Sequence, residues 1–284
     1  QAILQILPSF SSASVALQKI DRLGLSLKER REQNLLPHDH THSHLKQGLH
    51  LQQINHHYRQ DPQAPDDESS FSLGPIDLHF NPGELVFIVG GNGSGKSTLA
   101  KLITGLYIPS SGQIVWDGQV VDDQNRETYR QLFTTVFVDF YLFERLLGLA
   151  NSDSAAILDQ QAQTYLKSLH LQEKVQVLGG VLSTLALSQG QRKRLALLTA
   201  YLEDRPIYLF DEWASDQDPF FREVFYRQLL PELKQRGKTV LVISHDDRYF
   251  DVADRLIKLE YGKMVAATGV TVSSATAPQL PNFS

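Results

Sequence analysis

A chain of 284 residues is long enough to bury a full core, and 42% hydrophobic with 21% charged residues is an ordinary composition for a soluble globular protein. The formal net charge of −5 argues against a nucleic-acid binder, which carries a basic excess clustered on one face. The lack of cysteine excludes disulfides and thiolate metal sites.

The chain opens on Gln1 and its single methionine is Met264, so a piece of a longer protein is expected. No secretory signal pattern is visible, and no window reaches the roughly 18 consecutive apolar residues of a membrane span. Residues 12–30 place Ala13, Ala16, Leu17, Ile20, Leu23 and Leu27 at spacings of three and four, which predicts an amphipathic helix. In the polar linker that follows, His38, His40, His42 and His44 alternate. On an extended chain they share one side and suit Zn, Cu or Ni, although so biased a tract reads first as a solvated linker. An alternating run predicts a strand over 49–58, Pro, Asp and Ser mark a loop over 61–70, and a second strand is expected over 71–80.

From residue 84 the pattern changes to buried strands alternating with helices. ELVFIVG (84–90) is followed by a glycine-rich turn and a helix, STLAKLITGLY (97–107). Strand-length apolar runs recur at IVWDG (114–118), TTVFVDF (134–140), PIYLFDE (206–212), TVLVIS (239–244) and RLIKLEYG (255–262). Between the second and third of these runs lie about 65 mostly helical residues, too many for a simple crossover. They are expected to form an inserted helical subdomain over about 139–200. The tail from residue 268 lacks periodicity and is expected to be loose. The fold class is therefore α/β: a core with a mainly parallel sheet, an antiparallel β part and an inserted helical subdomain.

GGNGSGKST, residues 90–98, has the G-x-x-x-x-G-K-[ST] spacing between a strand and a helix. Gly90, Gly91, Asn92, Gly93, Ser94 and Gly95 form a loop whose N–H groups can curl round an anion at a helix start. Lys96 can reach β- and γ-phosphates, Ser97 can ligate Mg²⁺, and Thr98 can touch the α-phosphate. The apolar strand before Asp211 and Glu212 delivers two acids to the sheet's edge, Asp211 for the Mg²⁺ shell and Glu212 as a base for the attacking water. His245, following a third buried strand, is placed beside the nucleotide at the same edge. The cations Arg192, Lys193 and Arg194 read as a solvated helix face, because no aromatics interleave them for nucleic-acid contact.

With these motifs in order, LSQGQ (187–191) resembles the LSGGQ signature of ABC transporter nucleotide-binding domains, Gln189 replacing one Gly. The resemblance covers about residues 46–265. It implies that Ser188, Gln189, Gly190 and Gln191 close over ATP held by a partner copy. It also implies that Asp218 is the D-loop aspartate and that Tyr58 stacks on adenine. Trp213, Asp216 and Gln217 stand where most of the family has Pro, Ala and Leu, and these features are similar to the exporters of cyclic peptides and peptide siderophores. Val138 stands where the family usually has a Gln that touches Mg²⁺ and water, with Asp139 beside it as a candidate substitute.

The resemblance further divides the chain. Residues 1–36 would carry the cytoplasmic end of a last membrane helix and a connecting helix, and 37–45 the His-rich linker. Residues 46–268 would form the ATP-binding domain and 269–284 the tail. The cofactors expected are ATP and Mg²⁺; the partners are a second copy and the membrane domain of the same half-transporter, with no nucleic acid, at the cytoplasmic face of the cell membrane. A soluble ABC-type ATPase acting on DNA or ribosomes would need tandem ATPase domains or coiled-coil arms, and the sequence has neither a second P-loop nor heptads. A non-catalytic nucleotide-binding regulator is favoured by Val138 and disfavoured by Glu212 and His245.

Overall fold

The computed structural model describes residues 45–57, 71–146 and 155–269, all in the second of two units into which the chain divides, Leu36–Ser284. The expected N-terminal helix, the His38–His44 tract, Tyr58 and the tail beyond 269 lie outside the described residues.

Most of the apolar runs from residue 84 onward assemble into one sheet. It comprises β3 (Leu85–Val89), β6 (Phe133–Val136), β9 (Ile207–Asp211), β10 (Thr239–Ile243), β11 (Arg255–Glu260) and β12 (Lys263–Gly269), ordered β12-β11-β3-β10-β9-β6. Every pairing is parallel except β11 with β12. The central strands β3, β10 and β9 are continuously buried because both faces of the sheet are covered there. Leu85, Phe87, Tyr208, Phe210, Val240 and Val242 pack with the helices on one side, while Val86, Ile88, Leu209, Leu241 and Ile243 pack with a second sheet on the other.

That second sheet is antiparallel, ordered β2-β1-β4-β5, from β1 (Leu49–His57), β2 (Ser72–Phe80), β4 (Ser111–Trp116) and β5 (Gln119–Val120). Its inner residues, Leu49, Leu51, Ile54, Leu73 and Ile76 among them, are buried. Helix α1 (Lys96–Ile103) follows the glycine loop, and α2 (Arg126–Arg130) precedes β6. The insertion carries α3 (Ala155–Ser168), a hairpin of β7 (Val177–Leu178) and β8 (Val181–Leu182), and α4 (Gln189–Glu203). After β9 come a short helix α5 (Pro219–Val224), a π-helical turn and α6 (Leu230–Gln235). Among the described residues no helix is long and apolar enough to cross a membrane.

Four details depart from expectation. The strand expected over 134–140 ends at Val136, because its pairing with β9 stops at Phe210 and β9 leaves the sheet at Glu212, whose φ is 49°. Helix α1 starts at Lys96 and ends at Ile103 rather than running to 107, stopped by Gly105 at φ 71°. The loose tail was expected to start at Thr268, yet Thr268 and Gly269 belong to β12. This strand returns from β11 through Tyr261 and Gly262, both at positive φ as a two-residue hairpin turn requires. β12 is mostly exposed, so no apolar periodicity announced it. The insertion, finally, holds a hairpin between its helices, and its last helix runs to Glu203 rather than about 200.

Candidate functional site

The glycine loop leaves β3 and turns into α1, and its shape depends on residues without a Cβ. Gly90 adopts φ 151°, and a Cβ there would lie 2.2 Å from the Leu259 carbonyl oxygen. Gly95 adopts φ 100°, and its Cβ would meet the ring of Phe71 at 2.8 Å. Gly91 and Gly93 have open space where a Cβ would be. Lys96 donates from Nζ to the carbonyls of Gly90 and Gly91, 3.0 Å each, so its ammonium spans the loop. Burial lowers its pKa, and the nearby Glu212 and Asp211 carboxylates oppose that shift.

These residues border a cleft of about 560 Å³, lined by Phe71, Asn92, Lys96, Ser97, Thr98 and Glu212 among others. Asp211 ends β9 behind it, 3% exposed. Burial raises its pKa, against a hydrogen bond from Ser97 that lowers it, and its Oδ1 is buried with no hydrogen-bond partner among the described residues. A buried acid with an unmet oxygen beside a hydroxyl is the hard oxygen donor set that Mg²⁺ takes. Glu212 comes next, its N–H donating to the Ile243 carbonyl at 3.0 Å and its Oε1 lying 3.0 Å from His245 Nε2. A second cavity of about 300 Å³ shares Glu212 with the cleft and adds His245, Arg222, Ser244 and Arg248.

The signature stretch lies elsewhere: none of Ser188, Gln189, Gly190 or Gln191 lines the cleft. Ser188 caps α4, its Oγ accepting from the Gln191 N–H while Gln191 Oε1 accepts from the Ser188 N–H, and Ser188 and Gln189 are exposed. Gly190 passes so close to the next turn that a Cβ would lie 2.7 Å from the Asp216 carbonyl oxygen. Asp218 caps α5 by accepting from the Phe221 N–H at 2.9 Å. That bond, with Arg194 beside it, holds its carboxyl below the usual range. Val138 and Asp139 are exposed past the end of β6, and neither lines the cleft.

The reading of Arg192–Arg194 as a solvated face is overturned. Lys193 is 1% exposed and Arg194 nearly buried, its guanidinium 3.8 Å above the Phe221 ring. The reason is periodicity: Lys193 shares a face of α4 with buried Ala196, Leu197 and Ala200. The three residues after β9 that depart from the family's usual choices all reach this helix. Trp213 donates from Nε1 to the Lys193 carbonyl, Asp216 pairs with Lys193, and Gln217 bridges Arg194 Nε and the Gly190 carbonyl. Phe71 was not anticipated as a site residue; it directly precedes β2 and becomes visible as a cleft residue only once the glycine loop packs against it.

The ABC transporter family model matches residues 73–215. ATP-binding protein SyrD of Pseudomonas syringae pv. syringae is 48% identical over 283 residues, 97% of this chain and 49% of that protein. An ATP-dependent lipid A-core flippase of Ralstonia nicotianae is 34% identical over 72% of this chain and 36% of its own length. The chain thus spans half or less of the length of these curated relatives. Among solved structures, a dimeric ATP-binding cassette in a post-hydrolysis state bound to ADP and Pi is similar with a TM-score of 0.67 and 27% identity, over 78% of this chain and 99% of that one.

Proposed function

The chain belongs to the ABC transporter family of ATP-binding and ATP-hydrolysing domains, and from that premise we propose that it is the motor domain of an exporter, working as a head-to-tail dimer. The observation that carries the catalytic part is that Lys96, Ser97 and Glu212 line one cleft, with Asp211 buried beside Ser97 and His245 bonded to Glu212, the acids and the histidine coming from the ends of two parallel strands and the other two from a helix start. In this reading the loop from Gly90 to Gly95 and Lys96 hold the phosphates, Thr98 meets the α-phosphate, and Tyr58 stacks on the base. Ser97 and Asp211 would hold Mg²⁺, which would supply charge neutralisation on the phosphates.

Water then attacks the γ-phosphorus, its proton passes to the Glu212 carboxylate, and the bond to the ADP oxygen breaks. His245, bonded to Glu212, keeps that carboxylate oriented. Asp218 steadies the turn between the sites, and residues 188–191 close over the partner's ATP.

The membrane domain of the same half-transporter is the second partner, which puts this domain at the cytoplasmic face of the membrane. No role in binding nucleic acid is proposed. The branch resemblance supports a cyclic peptide or peptide siderophore as cargo. The test is Glu212→Gln: it should keep ATP affinity while turnover falls about 10²- to 10⁴-fold, because an amide cannot take the proton. Turnover near the parent rate would refute the assignment.

A further inference from the structure

Helix α4 carries a buried cation with a complete set of partners. The Lys193 ammonium has three protons, and away from water each needs an acceptor. It has three acceptors: the Glu212 carbonyl at 3.0 Å, Ser215 Oγ at 3.0 Å and Asp216 Oδ2 at 2.7 Å. All three belong to the turn that follows β9.

That turn is strained where it begins. Glu212 sits at φ 49° and ψ 35°, a left-handed conformation that side-chain-bearing residues avoid. Such a residue stays in place when its surroundings over-determine it. Its N–H is fixed to β10 through the Ile243 carbonyl, and its carboxylate meets His245. Its own carbonyl takes the Ser215 hydroxyl at 2.8 Å as well as Lys193. Lys193 therefore brings the clamp from the signature helix, whose first residues are themselves tied to the same turn by Gln217.

We propose that Lys193 is a positioning residue for hydrolysis: its ammonium pins the Glu212 turn to the signature helix and so fixes where the Glu212 carboxylate points. The inference rests on Glu212 acting as the base in the function proposed above. Lys193 transfers no proton and acts only through Glu212.

The experiment is a double-mutant cycle on the 284-residue chain, reading kcat and KM for ATP with Mg²⁺. Lys193→Met keeps most of the stem and removes the charge. It should lower kcat on the order of 10²-fold, the loss that a displacement of about 1 Å produces, with KM little changed. Added to Glu212→Gln, it should lower the residual rate no further, as for residues that act as a unit. An equal loss in both backgrounds would mean a general structural role and would overturn the proposal, as would no loss in the parent.

Should Lys193→Met not fold, Asp216→Asn carries the same cycle. Asp216 is nearly half exposed, and the amide oxygen still accepts a hydrogen bond. A smaller loss of kcat is expected, again absent beside Glu212→Gln; a loss of equal size in both backgrounds, or none, would overturn the proposal. Full turnover by Glu212→Gln alone would sink the base assignment and this inference together. Full turnover by the Lys193 or Asp216 variant beside an inactive Glu212→Gln would sink this inference only.

Discussion

Asp211 is held where its charge is unfavourable. Because its pKa is raised by burial, the folded chain binds this proton more tightly than the unfolded one. Its contribution to stability is therefore present below the ordinary carboxylate range and is lost as pH rises through the raised value. At neutral pH the ionised group opposes folding, so Asp211→Asn should melt at a higher temperature than the parent without nucleotide, and the gap should close in acid. With Mg²⁺ and ATP the order should reverse, since the parent gains ligand stabilisation that the variant forfeits. Thermal melts across pH, with and without Mg²⁺ and ATP, check both signs; a variant less stable at pH 7 without ligand would contradict the argument. The sequence already announced this residue as the polar end of an apolar strand. It did not announce Phe71 or the burial of Lys193, since each depends on what packs against it.

At the scale of elements, α4 and the turn after β9 fit together through a position without a side chain. Gly190 lies in the first turn of α4, where replacing Gly with Ala should favour the helix by up to about 1 kcal/mol on propensity alone. Its Cβ would, however, lie 2.7 Å from the Asp216 carbonyl oxygen, a backbone atom that cannot swing aside. Overpacking of this kind costs about 1–3 kcal/mol. Gly190→Ala should therefore lower the denaturation midpoint rather than raise it, and a raised midpoint would show that the turn yields. The capping box of Ser188 and Gln191 joins residues three apart and is local. The Gln217 bridge could not be read from the sequence, because it joins positions 27 residues apart.

At the scale of the whole molecule, the signature and the cleft occupy separate places in one chain. Completion of a site by a second copy is the arrangement proposed above, and it makes a prediction that a single-chain site does not. Ser188→Arg places a bulky cation on the signature and Lys96→Ala removes the phosphate ligand, so each alone should be nearly inactive. Mixed, they should regain partial activity, because one of the two composite sites in a mixed dimer keeps both parent halves. Co-purification of differently tagged chains with a hydrolysis assay decides it. A demonstrated mixed dimer without recovery would count against the trans arrangement if Ser188→Arg still dimerises with ATP.

Taken alone, the sequence determined the class of fold and most of the cleft. Strand-length apolar runs, glycines at fixed spacing and acids at a strand end are local signals, written in consecutive residues. It also located Trp213, Asp216 and Gln217 as departures without saying what they do. Only the tertiary structure decided that all three contact one helix and that Lys193 lies buried between α4 and the turn after β9. The physical reason is that a charge is read as solvated until its partners are known. The three acceptors that make burial of this ammonium tolerable lie 19 or more positions further along the chain.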